Sequence, residues 1–176
     1  MRFDTLFINA RLLDPEAGTL SEGALAVADG VIVQCWDGAA PPDTKAAKIV
    51  DCGDKILAPG IVDIGVKVCE PGERHKESFR SAGRAAAAGG VTTIVTRPDT
   101  DPAIDTPETL EFVMRRAREV ADVRIYPMAA LTKSRAGRDM TELGFLQDTG
   151  AVAFTGGDNL ITDAKVQTRA AHYDKA

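Results

Sequence analysis

The sequence predicts a mixed α/β protein in two parts: an all-β segment over residues 1–58, then a run of parallel βα units over 59–176. Three observations carry this expectation. Short apolar runs separated by turn residues fill the first part, with Asp29-Gly30 as the strongest hairpin signal. The pattern changes abruptly at Pro59-Gly60. Beyond that point strand-like and helix-like segments alternate, which is the signature of parallel βα units.

In the first part, residues 5–9 and 10–14 read as strands ahead of a turn at Pro15 to Gly18. Residues 24–28 face 31–35 across Asp29-Gly30, because glycine supplies the positive φ that a two-residue hairpin needs. A polar loop over 40–45 leads to strands at 48–51 and 55–58, and no helix longer than a turn fits. The expected product is a β-sandwich segment.

In the second part, residues 61–68 read as a β-branched-rich run, as expected of a strand buried on both faces. Residues 77–88 read as an alanine-rich helix stopped by Gly89-Gly90, with the alanine run 85–88 serving close packing. A strand at 91–96 follows. Thr106 and Pro107 then open a helix to residue 121, the first as capping residue and the second at the first helical position. A third strand over 123–131, a short helix over 140–148, a fourth strand over 151–155 and a helix from 162 complete the pattern. The pattern alone suits either a barrel or a doubly wound sheet. Four strands cannot close an eight-stranded barrel, so the sequence is expected to be the first part of a longer one.

Bulk properties narrow the function. With 21 basic against 26 acidic residues the net charge is −5, which argues against nucleic acid as a main partner. No apolar run is long enough to span a membrane, and the first fifteen residues lack the features of a leader peptide. Cys35, Cys52 and Cys69 are odd in number and show no C-x-x-C spacing, which predicts free, buried thiols in a reducing, cytoplasmic compartment. A Cys/His metal site is not expected, since only His75 and His172 could join them. His75 reads as a loop residue and His172 as a helix-surface residue. Gly89-Gly90 and Gly156-Gly157 lack the order of a phosphate-binding loop, the first being a helix stop and the second a lax strand end. Arg115-Arg116 and the basic stretch 133–138 read as solvated faces.

The segment Pro59-Gly60-Ile61-Val62-Asp63-Ile64-Gly65-Val66-Lys67-Val68-Cys69-Glu70-Pro71-Gly72 resembles the first barrel strand of dihydroorotases, whose pattern is P-G-x-x-D-x-H-x-H-x-R-x-P-G. Further matches follow in order: His75-Lys76-Glu77, the stretch from Ala85 to Thr93, Pro98-Asp99-Thr100-Asp101-Pro102, Leu131-Thr132-Lys133, and Gly150 to Thr155. The resemblance covers essentially the whole chain. It implies the first half of a TIM-type (β/α)8 amidohydrolase barrel behind the β-sandwich segment. It also implies a divalent metal, typically zinc, held by the H-x-H pair to activate water against a cyclic amide.

The residues that do this chemistry in the family are changed here. The two histidine positions are Gly65, which has no donor atom, and Lys67, an ammonium at neutral pH. The family's substrate-clamping arginine is Cys69, and the asparagine of its M-P-N-T stretch is Asp99. Where the fourth strand of the family ends in a bridging carbamylated lysine or an aspartate, this sequence has Gly156 in Thr155-Gly156-Gly157. Asp63 reads as a structural residue. Lys67 reads as a relic side chain reaching solvent; the alternative is an ammonium that takes the metal's place and pairs with an acid.

The resemblance therefore implies a catalytically inactive dihydroorotase-like protein without zinc. It would be an oligomer kept as a structural subunit with aspartate carbamoyltransferase, as other non-catalytic members of the family are. Two alternatives stand beside it: an active cyclic-amide hydrolase with relocated ligands, and a small-molecule binding module anchored by Lys67.

Overall fold

The computed structural model describes residues 2–173, and the chain divides into two compact units, Met1–Pro59 and Gly60–Ala176. The first unit is one mixed sheet. Its centre is β1 (Phe3–Asp14), which pairs antiparallel with β2 (Thr19–Ala28); β2 in turn pairs with β3 (Val31–Asp37). On the other side, β4 (Ala46–Asp51) and the short β5 (Ile56–Leu57) run parallel to β1. Asp29 and Gly30 both take positive φ, 50° and 75°, as a two-residue hairpin with the twist of its strands requires.

The two strands expected over 5–9 and 10–14 are one. A bulge between Phe7 and Ala10 bends β1 without ending it, and Asn9 at the bulge has φ 51°. The amide of Asn9 donates to the Asp51 carboxylate at 3.0 Å, tying the bulge to β4. Leu6, Ala10, Ala24 and Ala26 are buried, whereas Val31, Ile32 and Val33 of the edge strand β3 are exposed. Among the described residues this unit is a single sheet, so a second sandwich layer is not part of it. Cys35 is exposed on β3, and Cys52 and Cys69 are only half-buried, which corrects the expectation of buried thiols.

The second unit alternates strands and helices. β6 (Ile61–Val66), β7 (Val91–Thr96) and β8 (Arg124–Pro127) pair in parallel in chain order. The strand expected over 123–131 breaks at Met128, and its second piece, β9 (Ala129–Ala130), pairs in parallel with β10 (Phe154–Thr155). Between the strands lie α1 (Phe79–Ala88), α2 (Pro107–Val120), α3 (Leu143–Thr149) and α4 (Ala164–Tyr173). The end of the helix expected to run to 176 lies outside the described residues.

Helix α1 begins later than the composition suggests, because Ser78 caps it. The Ser78 hydroxyl accepts from the Ser81 backbone while the Ser81 side chain accepts from the Ser78 backbone, a reciprocal capping box. Thr106 caps α2, with Pro107 at its first position. The core of the unit packs one face of the strands against the helices. Ile94 of β7, Phe79 and Ala82 of α1, Leu110, Val113 and Ala117 of α2, and Leu146 of α3 form one buried cluster. The alanine run 85–88 is mostly exposed, which corrects its assignment to packing. Close approach is made instead at Gly83, where a Cβ would lie 3.1 Å from the Asp122 backbone nitrogen.

The opposite sheet face is uncovered. In register, Val62 aligns with Thr93 and Arg124, and Ile64 with Val95 and Tyr126. Val62 is 57% and Ile64 70% exposed, so β6 is not buried on both faces as its composition predicts. The reason is positional: β6 is the sheet edge, and the helices cover only the face that carries Ile94 and Ile125.

Candidate functional site

The positions where chemistry was expected gather just beyond the C-terminal ends of β6, β7 and β10. Gly65 is the extra residue of a bulge in β6: the pairing steps from Ile64–Val95 to Val66–Thr96 and passes over it. Its φ is +95°, a conformation that residues with a Cβ rarely adopt. The strict alternation that would aim positions 65 and 67 the same way is thereby broken. Loss of the first histidine is built into the backbone as well as the side chain.

Lys67 follows directly after β6, and Arg97 directly after β7, where its N–H donates to the Val66 carbonyl at 2.9 Å. The Lys67 ammonium lies 2.9 Å from Asp158 and 3.1 Å from Asp99. Arg97 grips the same two acids. Its Nε and Nη2 donate to the two oxygens of Asp99 at 3.0 and 2.5 Å, and Nη2 also bonds Asp158. Two cations thus bridge two anions, and the cluster is neutral. The reading of Lys67 as a relic reaching solvent is corrected: its side chain is half exposed but doubly paired.

The side chain of Asp99 is only 2% exposed. Burial pushes its carboxyl up, but the hydrogen bonds from Arg97 and Lys67 outweigh this and hold it well below the usual carboxylate range. Hydrogen bonds to Asp158 and Asp99 hold the Lys67 ammonium above the ordinary lysine range, and the bonds from Lys67 and Arg97 lower Asp158. General acid–base work needs a group that titrates near the working pH, and these shifts move the three groups away from neutrality.

Gly156 and Gly157 make the close approach of Asp158 feasible. A Cβ on Gly156 would sit 2.4 Å from the Asn159 carbonyl oxygen, and Gly157 has φ +66° with Asp99 Cβ 3.1 Å from its own ideal Cβ. The pair is a shaped turn and not a lax strand end. Cys69 is half-buried and lies outside the cluster; His75 and His172 are exposed. Asp63 is exposed on β6.

A divalent metal does not fit these residues. Gly65 offers no donor, Lys67 and Arg97 bring positive charge to the site, and both carboxylates are already committed to them. Among the described residues, no group of three or more histidine, cysteine, aspartate or glutamate side chains could hold a metal ion. Sequence reasoning found Gly65, Lys67, Asp99 and Gly156 but missed Arg97 and Asp158. A signal for Arg97 existed: it stands where the M-P-N-T pattern has methionine, so a new cation accompanies the new anion Asp99.

A second buried carboxylate is structural. Glu70 accepts from the Phe79 backbone at the start of α1 and from Arg116 of α2, each at 3.0 Å, so it ties the segment after β6 to two helices.

Comparison with known proteins bears on the family and the fold. The family model described as "Dihydro-orotase-like" matches residues 54–174. A "Dihydroorotase-like protein" of Pseudomonas aeruginosa is 40% identical over 164 residues, covering 93% of this chain and 38% of that protein. A dihydroorotase of Geobacter sp. is 31% identical over 170 residues, covering 97% of this chain and 40% of that protein. The chain therefore spans about two fifths of the length of these relatives. Among solved structures, the L-hydantoinase (dihydropyrimidinase) of Arthrobacter aurescens superposes with a TM-score of 0.75 at 26% identity, over 86% of this chain and 32% of that one. With a family model matching most of its length, and parallel βα units that superpose on an amidohydrolase, this chain belongs to the dihydro-orotase-like family.

Proposed function

We propose that this chain is part of a cytoplasmic dihydroorotase-like protein that has given up hydrolysis and serves as a structural subunit with aspartate carbamoyltransferase. In this reading the second unit supplies the first half of a (β/α)8 barrel, and the first unit supplies one layer of a β-sandwich. Further βα units would cover the apolar face of Val62, Ile64 and Tyr126. One observation carries the loss of hydrolysis: the ammonium of Lys67 stands between Asp99 and Asp158 where the family sets a metal-binding histidine. The Lys67 charge is used internally, which also speaks against its serving as an anchor for a small anion.

A scaffold that retains its caps, turns and core while its reacting groups are replaced is of use for its surface. The similarity to a protein named dihydroorotase-like supports the reading. The test has two arms, both on the full-length protein. Dihydroorotate turnover, measured with and without added zinc, is expected to stay at background; turnover at enzymatic rates would refute the loss of hydrolysis. Mixed at micromolar concentration with aspartate carbamoyltransferase, the protein is expected to co-elute in size-exclusion chromatography through an interface on the order of 1,600 Å². Separate elution would refute the partnership.

A further inference from the structure

We propose that Lys67, Arg97, Asp99 and Asp158 form a metal-free clasp that fastens the loop between β10 and α4 across the ends of β6 and β7. The clasp extends the reading above but does not depend on it, since it concerns what orders the loop and not whether the protein hydrolyses anything.

The loop has few apolar anchors. Between Thr155 and Ala164 it buries little: Asp158 and Asn159 are exposed and Leu160 is 89% exposed. Apolar packing therefore contributes little to holding it. Its anchors are polar. Asp158 receives both Lys67 and Arg97, and the Asn159 amide donates to the Arg135 carbonyl at 3.1 Å. Asp99 completes the arrangement from below, because it fixes both cations in the positions from which they reach Asp158. Three strand ends are thus joined by one set of charges. A metal bridging carboxylates and imidazoles would join strand ends in a comparable way, and here side-chain charge alone does so.

The backbone is fitted to this use. Gly156 and Gly157 allow the chain to turn tightly over Asp99, and a Cβ at either would meet a neighbour at 2.4 or 3.1 Å. The Gly157 N–H donates to the Thr155 hydroxyl at 3.2 Å, which closes the turn. The partly exposed cations can rehydrate when an acid is removed, so loss of Asp158 frees the loop without unfolding the unit.

The experiment is hydrogen exchange of the peptide covering residues 156–163 in the full-length protein. It compares wild type with Asp158→Asn, Lys67→Met and Lys67→Arg, each with and without a chelator. Between partners that are each about half exposed, loss of an ion pair corresponds to a change of up to roughly fivefold in local opening. Asp158→Asn and Lys67→Met are expected to raise exchange in this peptide by roughly threefold to fivefold, while leaving the α2 peptide unchanged. Lys67→Arg keeps a cation and is expected to retain protection. The chelator is expected to have no effect on wild type. Equal protection in wild type and Asp158→Asn would overturn the clasp, as would loss of wild-type protection on chelation. Because turnover is measured separately, a failed clasp with no turnover leaves the non-catalytic reading standing, and turnover with an intact clasp removes only that reading.

Discussion

Replacing Asp99 by asparagine tests the energetics of the charge cluster. Asp99 is the buried member, its side chain 2% exposed, and it accepts two bonds from Arg97 and one from Lys67. A hydrogen bond to a charged group contributes about 1.5–3 kcal/mol net. Breaking a fully buried ion pair costs about 3–5 kcal/mol, but here Arg97 is a quarter exposed and keeps Asp158, so it is only partly stranded. The expected cost is about 2 kcal/mol, or a fall in melting temperature of roughly 4–8 °C for a protein of this size class. The sign of the pH dependence follows from the direction of the Asp99 shift. A carboxyl depressed in the folded state contributes stability above its unfolded pKa, near 3.9, and loses it as pH falls toward its folded value. The gap between wild type and Asp99→Asn should therefore be constant from neutrality to about pH 5 and shrink below about pH 4. Thermal melts followed by circular dichroism across this range measure it. A variant as stable as wild type at pH 7, or a gap that persists undiminished in acid, would mean that Asp99 is not held as a buried, doubly paired carboxylate.

Two further outcomes follow from local geometry. Gly65→His is expected to destabilise the protein by about 1–3 kcal/mol, because a residue with a Cβ is forced into a left-handed bulge conformation, and zinc titration should find no gain in binding; a neutral or zinc-stabilised variant would contradict the bulge. Ser78→Ala removes the helix cap and should cost about 1 kcal/mol in denaturant titration, whereas an unchanged midpoint would mean that the Glu70 contact to Phe79 suffices to hold the start of α1.

Much of the fold was legible because it is written in local signals. Thr106-Pro107 marks a helix start, and Asp29-Gly30 marks a hairpin, through backbone conformations that few other residues provide. The parallel alternation after Pro59-Gly60 followed from periodicity. The exposure of β6 was not legible: a run rich in β-branched residues encodes a preference for cover on both faces but does not say which segment supplies it. Gly65 was read only as a missing ligand, although an isolated glycine in a strand is also a bulge signal. Asp158 was out of reach for a different reason. It meets Lys67 across 91 positions of sequence, and no local pattern reports a contact made by a turn that two glycines shape. Glu70 is similar, since only the packing of α1 and α2 together reveals why a carboxylate is buried there.

If an internal charge cluster has replaced the family's first metal-binding pair, the protein should carry no zinc, and metal content measures this. The full-length protein, purified without chelator and supplied with zinc during expression, would be analysed by plasma mass spectrometry after desalting. Zinc is expected far below one ion per chain, with no change in the exchange of loop 156–163 when zinc is added. Stoichiometric zinc in the wild-type protein would contradict the replacement.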